Sequence, residues 1–197
     1  VMSDQSVHIV YGGSPLMSGK SYTWKVRVWD NNGKLSKWSL PATFQTGFLK
    51  PSDWKAEWIE PGFTEDTVMR PSPILRKEFK ITGRVVKATA YITAHGLYEA
   101  MLNGAPVGDA CLTPGWTSYN KRLQYQAYDV TSLLKTGGNA IGVILGSGWY
   151  RGNIGFSGQI NTYGKDIALL CQVDITYADG TTTTIVSDGT WKSSTGG

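Results

Sequence analysis

Residues 21–30, SYTWKVRVWD, alternate strictly: Tyr22, Trp24, Val26 and Val28 fall on one side, Lys25 and Arg27 on the other. Successive side chains of a strand point to opposite faces, so this run predicts a half-buried β-strand. The NNGK that follows reads as a turn, with Gly33 able to take positive φ. After SKWS (36–39), the run ATFQTG (42–47) predicts a second strand. Pro51 and Ser52 break the pattern, which predicts a linker over residues 48–53.

From Trp54 onward alternating runs return. WKAEWIE and ILRKEFKI each predict a strand, and VVKATAYITAHGLYEAMLNGAPVG (85–108) predicts two strands and a turn. Asn103-Gly104 is a strong hairpin signal, because both residues tolerate the positive φ of a tight turn. LQYQAYDV and NAIGVILGSG read as further strands, ALLCQVDITYADGTTTTIVSD as a hairpin about Asp179-Gly180, and TWKSS as the start of one more. A single short helix is expected at DVTSLLKTGGN. Thr131 or Ser132 would cap it, Leu133 and Leu134 would fold back on the sandwich, and Gly137 and Gly138 would end it.

Many antiparallel strands joined by loops predict an all-β protein, with a jelly-roll-like (galactose-binding-like) β-sandwich over residues 54–197. Residues 1–47 supply about half of the ~100 residues and seven strands of a fibronectin type III-like sandwich. They are therefore expected to be the C-terminal part of such a domain, with the chain beginning inside it. SSTGG follows directly on the strand signal at Trp191, so the second domain is expected to be truncated at its C-terminus.

Composition sharpens this picture. Among 197 residues there are 24 Gly, 8 Trp and 10 Tyr, and only 17% are charged, which again favours short strands and loops. The net charge of +4 comes from scattered Lys and Arg rather than from a stripe, which argues against nucleic acid as a partner. No run of 18 or more apolar residues predicts a membrane span. The opening VMSDQSVHIVY has neither the basic nor the apolar region of a signal peptide. Cys111 and Cys171 have no metal-ligand spacing. Cys171, within IALLCQVDI, reads as a small buried hydrophobe, and a disulfide between the two stays open.

Three segments then carry more specific information: LYEAMLNGAPVGD, LTPGWTSYNKRLQYQAYDVTSLL and GSGWYRGNIGF. In this order and spacing they resemble the amino-terminal accessory domain of bacterial alpha-L-rhamnosidases. The preceding YTWKVRVWDNNGKLSKWSLPATFQTG is similar to the fibronectin-type module that stands before that domain. The resemblance implies part of a secreted or periplasmic glycoside hydrolase that removes terminal alpha-L-rhamnose with inversion. It also implies catalytic carboxylates in an (α/α)6 barrel far downstream, and no such helical array is legible here. Inversion needs an acid and a base held about 6.5–9.5 Å apart across the sugar. Glu57 and Glu60 share one short segment and Asp179 sits in a turn, so no such pair is recognisable and no catalytic residue is assigned.

The chain is accordingly expected to be a non-catalytic accessory and docking region. Its partners would be the catalytic domain of the same polypeptide and rhamnose-containing glycans. The alternative is an autonomous carbohydrate-binding module for rhamnosides. A hydrolase in its own right lacks a supporting constellation. Candidate contact residues are Trp116 and Tyr119 in LTPGWTSYNKR, and Trp149, Tyr150 and Arg151 in GSGWYRGNIGF. In the sugar-facing reading the rings would stack on a pyranose and Arg151 would donate to hydroxyls. In the packing reading the glycines allow a tight bend and Trp149 covers the sandwich end; in a third, the loop docks on the catalytic domain. Packing or docking outranks direct sugar contact, and for Trp116 and Tyr119 a hydrophobic plug outranks a platform. The resemblance also raises calcium as a companion of rhamnose. Calcium wants six to eight oxygens, and Asp109, Asp129 and Asp166 are scattered, so no metal ligands are assigned. His95, before Gly96, reads as a strand-end hydrogen-bonder.

Overall fold

The computed structural model describes residues 1–5, 7–156 and 158–195, and its contacts divide the chain into Val1–Trp54 and Lys55–Gly197. In the first unit, β1 (Ser21–Trp24) pairs antiparallel with β2 (Ala42–Gln45), and Tyr22 stacks on its cross-strand partner Phe44 at 5.5 Å. Past Trp24 the regular strand stops, although the pairing continues in another form. The amides of Val26 and Val28 donate to the hydroxyls of Ser39 and Ser36 at 3.0 Å each, and their carbonyls accept from the amides of the same two serines. Serine hydroxyls thus stand where a ladder would place carbonyls. Arg27 lies over the Trp38 ring at 4.3 Å. The half-burial expected of this strand is not seen: Trp24, Val26 and Val28 are 52%, 48% and 61% exposed. Among the described residues of this unit no second sheet covers them, and two strands cannot enclose a core.

Residues 48–53, read from the sequence as a linker, form a compact turn. Pro51–Asp53 form a 3-10 turn, and the Asp53 carboxylate accepts from Ser18 Oγ at 2.5 Å and from the Lys50 and Leu49 amides. The Ser18 bond first, and then the Lys50 amide, hold this carboxyl below the usual range.

The second unit is built on two antiparallel sheets. Its strands are β3 (Ile74–Ile81), β4 (Val85–His95), β5 (Leu97–Leu102), β6 (Ala105–Pro106), β7 (Gln126–Asp129), β8 (Gly137–Gly146), β9 (Ala168–Tyr177), β10 (Thr182–Val186) and β11 (Lys192–Ser194). One sheet has the order β10-β9-β4-β7 and the other β11-β3-β8-β5-β6. Alternation selects what each strand contributes to the core. From β4 and β9 come Ala88, Ala90, Ile92, Leu169, Val173 and Ile175; from β3, β5 and β8 come Leu75, Leu102, Ile141, Val143 and Leu145. Each large member, such as Ile92 or Leu145 at 0% exposure, contributes roughly 1.5–3 kcal/mol on burial.

The turn chemistry read from sequence recurs in place. Asn103 and Gly104 take φ of 54° and 84° between β5 and β6, and Gly180 takes 82° between β9 and β10. Two elements differ from expectation. Residues 54–60 do not form a strand: they run as a strap, joined by the Ile59–Leu169 bridge and by Glu57, whose amide donates to Ser187 O and whose carbonyl accepts from Ser187 Oγ. The short helix is only a 3-10 turn, Thr131–Leu133, without a side-chain cap. Thr131 Oγ1 instead accepts from the Ala88 amide at 2.8 Å and donates to Asp129 at 2.6 Å. Gly137 opens β8 with φ 97°, and Leu133 and Leu134 pack on the core as expected. Both cysteines are free thiols: Cys111 is exposed, and burial pushes the Cys171 thiol up to about 12.

Candidate functional site

The GSGWYRGNIGF segment leaves the end of β8 and forms an α-helical turn, α1 (Gly148–Arg151), which the sequence periodicity does not predict. It sits directly over the start of β5. Two glycines permit this approach. A Cβ on Gly96 (φ 120°) would lie 2.3 Å from the Gly146 carbonyl oxygen, and one on Gly148 (φ 48°) would lie 2.5 Å from Leu97 Cγ. Any larger residue at either place would force the chain apart.

From α1 three consecutive side chains diverge. Arg151 turns inward and is 3% exposed. Its Nε donates to Ser147 Oγ at 3.0 Å, and Nη1 and Nη2 form a fork on the Glu65 carboxylate at 2.8 and 2.5 Å. Nη1 also donates to the Lys165 carbonyl at 3.2 Å. Arg151 was expected as a donor to sugar hydroxyls. The structure gives it a different place, because its guanidinium is buried and its fork is closed on Glu65. It ties the segments around Glu65 and Lys165 to α1.

The rings turn outward and meet one another. Tyr150 stacks on His95 with centroids 4.8 Å apart and planes 2° apart, and His95 stacks on Trp58 at 4.1 Å. Tyr119 meets Tyr150 edge-on at 5.4 Å and Tyr163 at 5.0 Å. Trp116 lies parallel to Trp149 at 5.8 Å, and its Nε1 donates to Tyr163 Oη at 3.3 Å. Tyr119 Oη donates to the Gly115 carbonyl. The four aromatic residues singled out in the sequence are therefore brought together, by α1 and the 111–122 loop. Trp58, His95 and Tyr163 complete the cluster; Trp58 and Tyr163 were not singled out, and His95 was read otherwise. His95 serves as a stacked ring rather than a strand-end hydrogen-bonder. The only local hint of Tyr163 was its place beside a glycine in a polar loop.

Burial holds the His95 imidazole below its ordinary value. Burial, and then the carboxylates of Asp166 and Glu60, push the Tyr150 hydroxyl up. Those two carboxylates face a cleft of about 150 Å³, lined also by Phe63, Glu65, Arg151 and Ile167. Among the described residues no three His, Cys, Asp or Glu side chains converge as a metal-ligand set, so no role for calcium is derived. Past α1, Ile154 and Gln159 form an isolated antiparallel bridge, and Phe156 is fully exposed. Chemically the region offers stacked apolar faces and a small acidic cleft on a rigid ion-paired base.

Comparison with known proteins agrees with this architecture. Residues 83–197 match the family described as alpha-L-rhamnosidase N-terminal domain, and residues 1–50 match one described as Rha78A-like, N-terminal immunoglobulin domain. The first unit is thus immunoglobulin-like; fibronectin type III domains share that sandwich architecture. The chain is 39% identical over 202 residues to an alpha-L-rhamnosidase of Formosa agariphila, covering 99% of this chain and 22% of that protein. The alpha-L-rhamnosidase structure from Aspergillus terreus superposes with a TM-score of 0.90 at 43% identity, over 98% of this chain and 23% of the other. The Streptomyces avermitilis alpha-L-rhamnosidase, solved with L-rhamnose, gives 0.87 at 25% identity over 100% of this chain and 35% of the other. The chain spans about a fifth of the length of the Formosa relative. With the matched segment running from Gly83 through both sheets and the aromatic end, the chain belongs to the alpha-L-rhamnosidase N-terminal domain family.

Proposed function

We propose that this chain is the non-catalytic accessory region of a secreted or periplasmic alpha-L-rhamnosidase, docking against the catalytic domain of the same polypeptide. The observation that carries this reading is the closed bonding of the aromatic end. Arg151 is engaged by Glu65, Tyr119 by Gly115, and the rings by one another. A site of this kind is a rigid surface rather than a reaction centre. The exposed Phe156 suits insertion into a partner, since aromatic anchors dominate interface energetics.

The test is hydrolysis of an aryl alpha-L-rhamnoside by the purified 197-residue chain. No turnover above the buffer blank is expected. Turnover that disappears in Glu60→Gln or Asp166→Asn, the carboxylates of the cleft, would overturn the reading.

A second reading, a rhamnoside-binding module, is favoured by one feature: Trp116 is 53% exposed while its ring lies parallel to Trp149. A double-indole face of this kind suits the apolar side of a pyranose. Calorimetry with L-rhamnose, with and without calcium, separates the two. Binding at millimolar sugar that is lost in a folded Trp116→Ala would establish the module; absence of heat leaves the docking reading standing.

A further inference from the structure

We infer that the outer face of the β11-β3-β8-β5-β6 sheet is a binding groove for a linear anionic glycan, one bearing carboxylates along its length. This face holds a shallow, open trough of about 580 Å³ lined by Arg76, Glu78, Lys80, Lys135, Gly138 and Ala140, among others. None of the residues lining it belongs to the aromatic cluster. Lys80 stands directly across from Gly138, and Glu78 across from Ala140. Three cations thus face one carboxylate. Glu78 is itself paired with Arg76 at 2.7 Å, whereas Lys80 and Lys135 make no ion pair among the described residues. On the same face Lys192 stands across from Arg76 and extends the positive charge to the sheet edge.

The shape of the trough is not required by the fold. A Cβ added at Gly138, or at Gly142 four residues further along β8, would meet nothing within 4 Å, and neither glycine has positive φ. Strand interiors disfavour glycine, and such glycines mark places where another group approaches the backbone closely. Here they lower the floor beneath a positively charged wall. Arg76 and Lys80 lie four residues apart on one strand, about 13 Å, so the wall suits repeated charges on an extended polymer. Nucleic acid fits poorly, because Phe79 packs against the core and no other ring lines the trough for bases to stack on. The choice of a glycan over an acidic peptide rests on the accessory-region reading above.

The test uses the whole chain with polygalacturonate as probe, by affinity electrophoresis and calorimetry at about 0.15 M salt, with dextran and poly-L-glutamate as comparisons. Retardation by polygalacturonate alone is expected. Lys80→Gln/Lys135→Gln should weaken it about tenfold, since two fewer cations meet the polymer. Gly138→Thr, which fills the trough without changing charge, should weaken it by a similar factor with an unchanged thermal midpoint. Lys34→Gln/Lys37→Gln, in the other unit, should leave it intact. Four results would each overturn the inference: no binding to polygalacturonate, equal loss in the Lys34/Lys37 pair, an unaffected Gly138→Thr, or poly-L-glutamate bound as tightly. Rhamnoside turnover by the chain would overturn the accessory reading and leave these binding results unchanged.

Discussion

Arg151 shows how one residue can be placed by contacts that its neighbours in sequence do not announce. It sits in a loop beside Trp and Tyr, where a cation ordinarily faces solvent, yet it is interior and bonded to a carboxylate 86 positions away. Removing one partner of a buried pair leaves the other charge uncompensated, which costs about 3–5 kcal/mol. Glu65→Gln and Arg151→Met are therefore each expected to lower the unfolding free energy by that order. The double variant Glu65→Gln/Arg151→Met should recover part of the loss, because no charge is then stranded. Urea denaturation of the four proteins checks this, and additive losses in the double variant would show the two groups to be uncoupled. The same residue scale explains His95. Its neighbour Gly96 suggested a strand end, which is correct, but the ring's partners Trp58 and Tyr150 come from distant segments.

At the scale of elements, strands and hairpins with two-residue periodicity were legible, whereas straps and junctions were not. The segment from β10 to β11 is one such junction. Lys77 Nζ donates to the Val186 carbonyl at 3.2 Å and to Asp188 at 2.8 Å, and the Thr190 amide and hydroxyl also donate to Asp188. Desolvation pushes the Asp188 carboxyl up, but the Lys77 and Thr190 bonds together outweigh it and hold it at about 2. The unfolded value is near 3.8, so the folded form prefers the ionised carboxylate. Its contribution is fully present above pH 3.8 and fades as pH falls toward 2. Asp188→Asn is thus expected to destabilise the protein at pH 6 by about 1 kcal/mol, partly screened because the side chain is 30% exposed. The difference should shrink as the pH is brought down toward 2, in thermal melts across that range. A difference that stays constant with pH would assign the effect to packing. The predicted helix at 129–139 failed for a related reason: the Thr131 hydroxyl donates to Asp129 and accepts from the Ala88 amide, which competes with helical capping.

For the whole molecule, the distribution of the core carries the consequence. Every member of the main buried cluster lies between Leu75 and Tyr177, in the second unit. The first unit has a two-stranded sheet and leaves Trp24, Val28 and Trp38 about half exposed or more. A chain beginning at Lys55 should therefore keep a cooperative thermal transition and a near-ultraviolet dichroism spectrum, while residues 1–54 alone should show neither. Loss of cooperativity in the shortened chain would mean that the second unit depends on the first. By itself the sequence determined the all-β class, most of the strands, the Asn103-Gly104 and Asp179-Gly180 hairpins, and the family, because alternation and turn chemistry act over a few residues. It also picked out four of the clustered rings, since unusual residues gather in two short loops. Only the tertiary structure decided that Arg151 faces inward, that Trp58, His95 and Tyr163 join those rings, and that residues 54–60 run as a strap. Each of these is settled by a partner tens of residues away, and local periodicity holds no record of which distant surfaces close packing brings into contact.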